Sequence, residues 1–119
     1  MERGFTLLEL LFTMVVIGIL SAIVVPEFRA YRQRAFDTRA QQDARNVALG
    51  EEAYYLDNEE YLSCEQNDCR ALPGIPRLSD GVNLSVEVQE DAFIITSSHE
   101  KGSGKTFIWD SNEGGFREQ

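Results

Sequence analysis

A chain of 119 residues with 25 of them in or before one apolar run leaves about 94 for everything else, which is one small domain with too modest a core for a large buried active site. The net charge of -9 is unevenly spread: residues 27–45 carry five arginines against three acids, and residues 51–119 carry five basic and fifteen acidic side chains. The acidic part repels phosphate, so direct nucleic-acid binding through it is not expected.

The apolar run is Phe5 to Val25, with Glu9 as its one ionisable side chain. As a helix it reaches roughly 32 Å, enough to cross a bilayer. A carboxylate near the bilayer centre costs about 2.5 kcal/mol or more, less toward the edge, and it seeks a positive partner. A secretory signal peptide fits poorly: the run is too long, it holds an acid, and no small-x-small cleavage pattern comes after it. A plain bitopic anchor carrying a small periplasmic binding domain is the alternative, with Glu9 snorkelling toward the headgroups.

The stretch Gly4-Phe5-Thr6-Leu7-Leu8-Glu9, extended by Gly18, Pro26, Phe28 and Tyr31, resembles the prepilin signature shared by type IV pilins and the pseudopilins of type II secretion. The resemblance implies a leader, residues 1–4, removed after Gly4 by a prepilin peptidase that also N-methylates Phe5. It implies that Glu9 pairs with the Phe5 amine of a neighbouring subunit. It further implies inner-membrane assembly machinery, residence in the bacterial inner membrane before assembly, and a helical homopolymer outside the cell afterwards. The residues make the Glu9 role physically reasonable, because a carboxylate in hydrocarbon is driven toward a cation and a buried polar pair can set register.

Residues 5–26 read as a transmembrane or filament-core helix, with Gly18 and Pro26 as its weak points and a kink near Pro26. Residues 27–57 continue as an amphipathic helix. Phe28, Tyr31, Ala35, Ala40, Ala44, Val47 and Ala48 form the inner stripe, closed by Tyr54 or Tyr55 and Leu56, while Arg29, Arg32, Arg39, Asp43, Arg45, Glu51 and Glu52 form the opposite face. Gly50 is expected to weaken it by about 1 kcal/mol relative to alanine. The aromatics along this stretch read as packing groups, not as a path for electrons.

Residues 58–81 are rich in turn formers and acids and read as an irregular connection. It holds both cysteines, Cys64 and Cys69, and His99 is the only histidine in the chain. A metal site needs further ligands, so a disulfide closing this short loop is expected, worth about 2 kcal/mol. Three arginines after the apolar run would place the C-terminal part of the chain in the cytoplasm. The disulfide and the acidic domain argue for the opposite side, and we adopt that orientation.

Residues 82–119 read as an antiparallel meander. Val82, Leu84, Val86 and Val88 alternate with polar residues, Ala92 to Ser98 returns, Lys105 to Trp109 adds a third strand, and Phe116 marks a short last piece. Gly102-Ser103-Gly104-Lys105-Thr106 looks like the end of a phosphate-binding loop but lacks its first glycine and opens a strand. Asp110 and Asn112 are spaced as in calcium loops, and the main pseudopilin of type II secretion is a calcium-binding family. Without a bidentate acid at the twelfth loop position, a β-turn is expected and no metal or other cofactor is assigned.

The expected fold is α+β: a long N-terminal helix with a three- to four-stranded antiparallel sheet packed on its C-terminal half. No set of residues suggests catalysis, so no enzyme activity is expected. The expected function is that of a type IV pilus subunit, with a type II secretion pseudopilin as the alternative.

Overall fold

The computed structural model describes residues 4–117, in one unit up to Arg32 and a second from Gln33 onward. The remaining leader residues, 1–3, lie outside the described residues.

Helix α1, Leu7–Asn58, is 52 residues long and includes Pro26. In the first unit every described residue is exposed, from Phe5 at 91 % down to Val16 at 39 %, so Phe28 and Tyr31 do not join the buried stripe expected of them, and neither does Leu56 further on. An 18-residue window here reaches a mean hydropathy of 2.6 with none of it buried. A helix apolar on all sides with nothing packed on it is made for lipid or for other helices. The helical assignment continues through Pro26, although proline leaves the carbonyl four residues back without its amide donor.

In the second unit α1 buries one stripe: Asp37, Ala40, Asp43, Ala44, Val47, Ala48, Gly50 and Glu51. The small side chains let a sheet approach closely. That sheet has five antiparallel strands in the order β1-β2-β3-β4-β5: Cys64–Glu65, Val82–Gln89, Ala92–His99, Phe107–Asp110 and Gly115–Phe116. The alternation works as the sequence implies. Val82, Leu84 and Val86 of β2 and Phe93 and Ile95 of β3 enter the core, while Asn83, Ser85 and Glu87 face water.

Three expectations need correction. The connection after α1 is not wholly irregular, because Cys64 and Glu65 pair with Val86 and Ser85 as an edge strand and Gln66–Ala71 forms a 3-10 turn. The third long strand starts at Phe107, not Lys105, and β3 extends to His99. Asp43 and Glu51 do not lie on the solvent face of α1: they are 8 % and 0 % exposed.

The physical reason for the last point is hydrogen bonding. Buried carboxylates are tolerated where they accept from otherwise unpaired donors. Asp43 Oδ2 accepts from the Ser79 amide at 2.7 Å and Oδ1 from the Ser79 hydroxyl at 2.9 Å. Asp37 accepts the Ser103 amide at 3.0 Å and its hydroxyl at 2.6 Å. Glu51 Oε2 accepts the Leu62 amide at 2.8 Å. Three helix acids thus pin three separate loops.

Gly50 also differs from its expected role. A Cβ there would sit 3.1 Å from the Pro73 carbonyl oxygen and 3.2 Å from Leu72 Cβ, so glycine is what lets this loop lie against the helix. The loop is further tied by the Cys64–Cys69 disulfide, with a Cα separation of 5.1 Å. Gln66 stands at φ 51. From there its Oε1 accepts the Leu84 amide at 2.6 Å and its Nε2 donates to the Val82 carbonyl at 3.4 Å. The side-chain amide continues the ladder where β1 ends, covering the β2 edge against another strand.

Candidate functional site: the capped start of the apolar helix

Gly4, Phe5 and Thr6 precede the first helical residue, and Gly4 has nothing within 4 Å of where a Cβ would be. These three residues are exposed.

The helix then begins with a reciprocal cap. The Glu9 carboxylate, through Oε2, accepts the Thr6 amide at 2.9 Å, and the Glu9 amide donates to Thr6 Oγ1 at 3.1 Å. Thr-x-x-Glu is the capping-box pattern, and it satisfies donors that a membrane interior would leave bare. Thr13 Oγ1 donates to the Glu9 carbonyl at 2.8 Å. Glu9 therefore has a local structural task as well as any task toward a neighbour. Phe5, Leu8, Phe12 and Thr13 share a concave surface with it. Its carboxylate is turned back toward residue 6. Gly18 has nothing within 4 Å of a built Cβ. It marks a place where another helix could approach closely.

Of the two calcium candidates, Asp110 is already engaged within the chain, and Asn112 takes part through its backbone amide. Arg117 Nη2 and Nε contact Asp110 Oδ2 at 2.5 and 3.0 Å, and Asp110 Oδ1 accepts the Asn112 amide at 2.9 Å. The guanidinium, aided by the Asn112 amide, holds the Asp110 carboxyl below its usual range. The result is a turn clasped by an arginine. Among the described residues no three His, Cys, Asp or Glu side chains are grouped so as to hold a metal ion.

His99 is buried beside Phe36, with ring centroids 4.5 Å apart. One ring nitrogen lies 3.0 Å from the Asp80 carbonyl and the other accepts the Lys101 amide at 3.0 Å, so the ring is tied into the fold through both nitrogens. Glu51 is the most perturbed acid. Burial pushes its pKa up to about 7, against the opposing pull of the Leu62 amide, and Glu52 adds to the rise.

Sequence reasoning missed the Thr6 partner of Glu9, although Thr-x-x-Glu at a helix start is a readable signal. It also missed Asp37, whose burial depends on the loop bearing Ser103, 66 residues away. No local pattern announces that contact.

Comparison with known proteins points to the same N-terminal stretch. Residues 1–25 match the model of the prokaryotic N-terminal methylation motif. The chain is 37 % identical over 65 residues to type II secretion system core protein G of Pectobacterium carotovorum, covering 55 % of this chain and 42 % of that protein. It is 39 % identical over 61 residues to the type IV wide pilus major component PilA4 of Thermus thermophilus, covering 51 % and 47 %. A fimbrial protein of Pseudomonas aeruginosa is 36 % identical over 62 residues, covering 52 % and 40 %. In these three the match spans less than half the length of the curated relative. The chain carries the N-terminal methylation motif and is prepilin-like, similar over about half its length both to pilus subunits and to type II secretion core protein G.

Proposed function

We propose that this chain is the structural subunit of a type IV pilus. It is held in the inner membrane by residues 5–25, cleaved after Gly4, methylated on Phe5 and polymerised into an extracellular filament. The observation that carries the reading is an apolar window of α1 with none of it buried, which follows the Thr6–Glu9 cap inside a methylation motif. Such a surface is costly in water and needs lipid or other helices around it.

In this reading Glu9 meets the Phe5 amine of the next subunit. Gly18 and Pro26 are where the helix bends or opens as it leaves lipid. The role is structural, and the partners are other copies, the prepilin peptidase with its methyltransferase activity, and the inner-membrane assembly machinery. Electron microscopy of fibres sheared from cells tests it: filaments micrometres long that contain this subunit support the pilus.

A second reading is a pseudopilin of a type II secretion system, favoured by the similarity to core protein G. The Asp110–Arg117 clasp removes the support that a calcium loop would have lent it. Surface filaments absent at native expression, together with a secretion defect on deletion, would select this second reading.

A further inference from the structure

We propose that Glu51 is a proton-operated latch on the strap between α1 and β1, residues 60–63: the protonated side chain holds the strap shut, and loss of the proton lets it open. The device lies wholly in the second unit and is independent of how the apolar helix is used.

The strap is fixed at both ends. Before it, Glu59 stands at φ 57, with its amide still donating to the Tyr55 carbonyl of α1 at 2.8 Å. After it comes Cys64, which pairs with Val86 and is joined by the disulfide to the buried Cys69. In between, the Leu62 amide donates to Glu51 Oε2 at 2.8 Å. The Tyr61 ring lies 4.7 Å from Tyr55 and 4.8 Å from Phe93, centroid to centroid. Two longer contacts complete the closure: the Tyr61 hydroxyl donates to Glu52 at 3.5 Å, and the Ser63 hydroxyl accepts the Val88 amide at 3.3 Å. The short polar tie is therefore the one to Glu51.

That tie ends on a poorly supported acceptor. Glu51 is 0 % exposed, and its Oε1 is buried with no hydrogen-bond partner. Ionised, the carboxylate would hold its charge out of water on a single donor, which costs more than one hydrogen bond returns. Nothing around it offsets the charge. Glu52, next to it on α1, adds a like charge. Tyr55 and Tyr61 are phenols, the latter held above its usual range by burial. Leu72, Pro73 and Ile75, packed against the neighbouring Gly50, and Val88 and Phe93 of the sheet carry no charge. The salt bridges found among the described residues, Arg77–Asp80 and Arg117–Asp110, do not involve it.

Protonated, Glu51 keeps the Leu62 amide on Oε2 and sheds the charge. The ionised form regains water only by swinging out from under the strap, which breaks the Leu62 tie and lifts Tyr61 off Phe93. Opening thus gives one proton to water, and closing takes one up. With the closed carboxyl titrating at about 7 and the open one at 4.5, opening gains about tenfold per pH unit between those values and levels off above. The disulfide confines the movement, since Cys64 stays tied to Cys69.

Amide hydrogen exchange of the full chain in micelles, read by NMR from pH 5 to pH 8 and corrected for the intrinsic rate, tests the latch. At pH 7 Leu62 should exchange about tenfold or more faster than Ile95 of the buried core, and low denaturant should speed Ile95 alone, the mark of a local opening. The corrected Leu62 rate should rise about 70-fold from pH 5 to pH 8, flattening above pH 7. Glu51→Gln keeps an acceptor without the charge and should leave the Leu62 rate flat, near its wild-type value at pH 5. Glu52→Gln removes the like charge and should keep the rise but make it smaller. A wild-type Leu62 rate that ignores pH, one that follows Ile95 in denaturant, or an equal rise in Glu51→Gln would overturn the inference. If Glu51→Gln does not fold, the wild-type profile and Glu52→Gln decide it.

Discussion

Glu9 and Thr6 cap each other: the carboxylate of the first accepts the amide of the second at 2.9 Å, and the hydroxyl of the second accepts the amide of the first at 3.1 Å. One side chain thus combines helix initiation with the charge assigned to assembly, and two substitutions separate them. Glu9→Gln keeps an acceptor for the Thr6 amide but has no charge, whereas Glu9→Ala loses both. Filament yield should fall severely and equally in both variants, with membrane insertion intact. Fraying of the first turn, worth about 1 kcal/mol, should appear in the alanine variant alone by amide exchange in micelles. Normal filaments from Glu9→Gln would show that charge is not what assembly needs.

Glu51 makes stability depend on pH in a direction unusual for an acid. Its folded pKa of about 7 exceeds the ordinary value of 4.5, so the folded chain binds more protons between those values. Stability therefore falls as pH rises from about 4.5 to about 7 and stays reduced above that, by about 3 kcal/mol at most. Glu51→Gln should flatten this profile, measured by chemical denaturation across that range. A wild-type chain whose stability rises from pH 5 to 7 would contradict the assignment.

Gly50→Ala sets helix propensity against space. Alanine gains about 1 kcal/mol in an open helix, but here its Cβ meets the Pro73 carbonyl oxygen at 3.1 Å and Leu72 at 3.2 Å. The crowding should win, giving a net loss of about 1–2 kcal/mol by thermal unfolding. Gly81→Ala should be worse, since Gly81 has φ 82 and a Cβ would lie 2.7 Å from the His99 ring.

Arg117 supplies the positive charge that a calcium loop would take from a metal. Millimolar calcium should leave the thermal midpoint of the wild-type chain unchanged, and Arg117→Gln should lower it. A clear rise with calcium would reopen Asp110 and Asn112 as ligands.

Local patterns carry the helix, the alternating β2 strand and the cysteine pair, because each depends on residues a few positions apart. The β1 edge strand is hidden because two residues, Cys64 and Glu65, have no period to read, and their pairing with Val86 and Ser85 is long range. Asp43 and Glu51 mislead for a related reason. Their charge suggests solvent, and only the loops carrying Ser79 and Leu62 explain their burial. At the candidate site the motif is legible as a whole, whereas the Thr6–Glu9 cap within it emerges only from the structure, although the same letters encode it.

The proposed function depends on a new N-terminus at Phe5, and the intact mass of the protein from native membranes or filaments tests it most directly. The expected mass is lower than that of the unprocessed protein by Met1 to Gly4 and by the two hydrogens lost in the disulfide, and higher by one methyl group at Phe5. Retention of Met1 to Gly4, or an unmethylated Phe5, would contradict it.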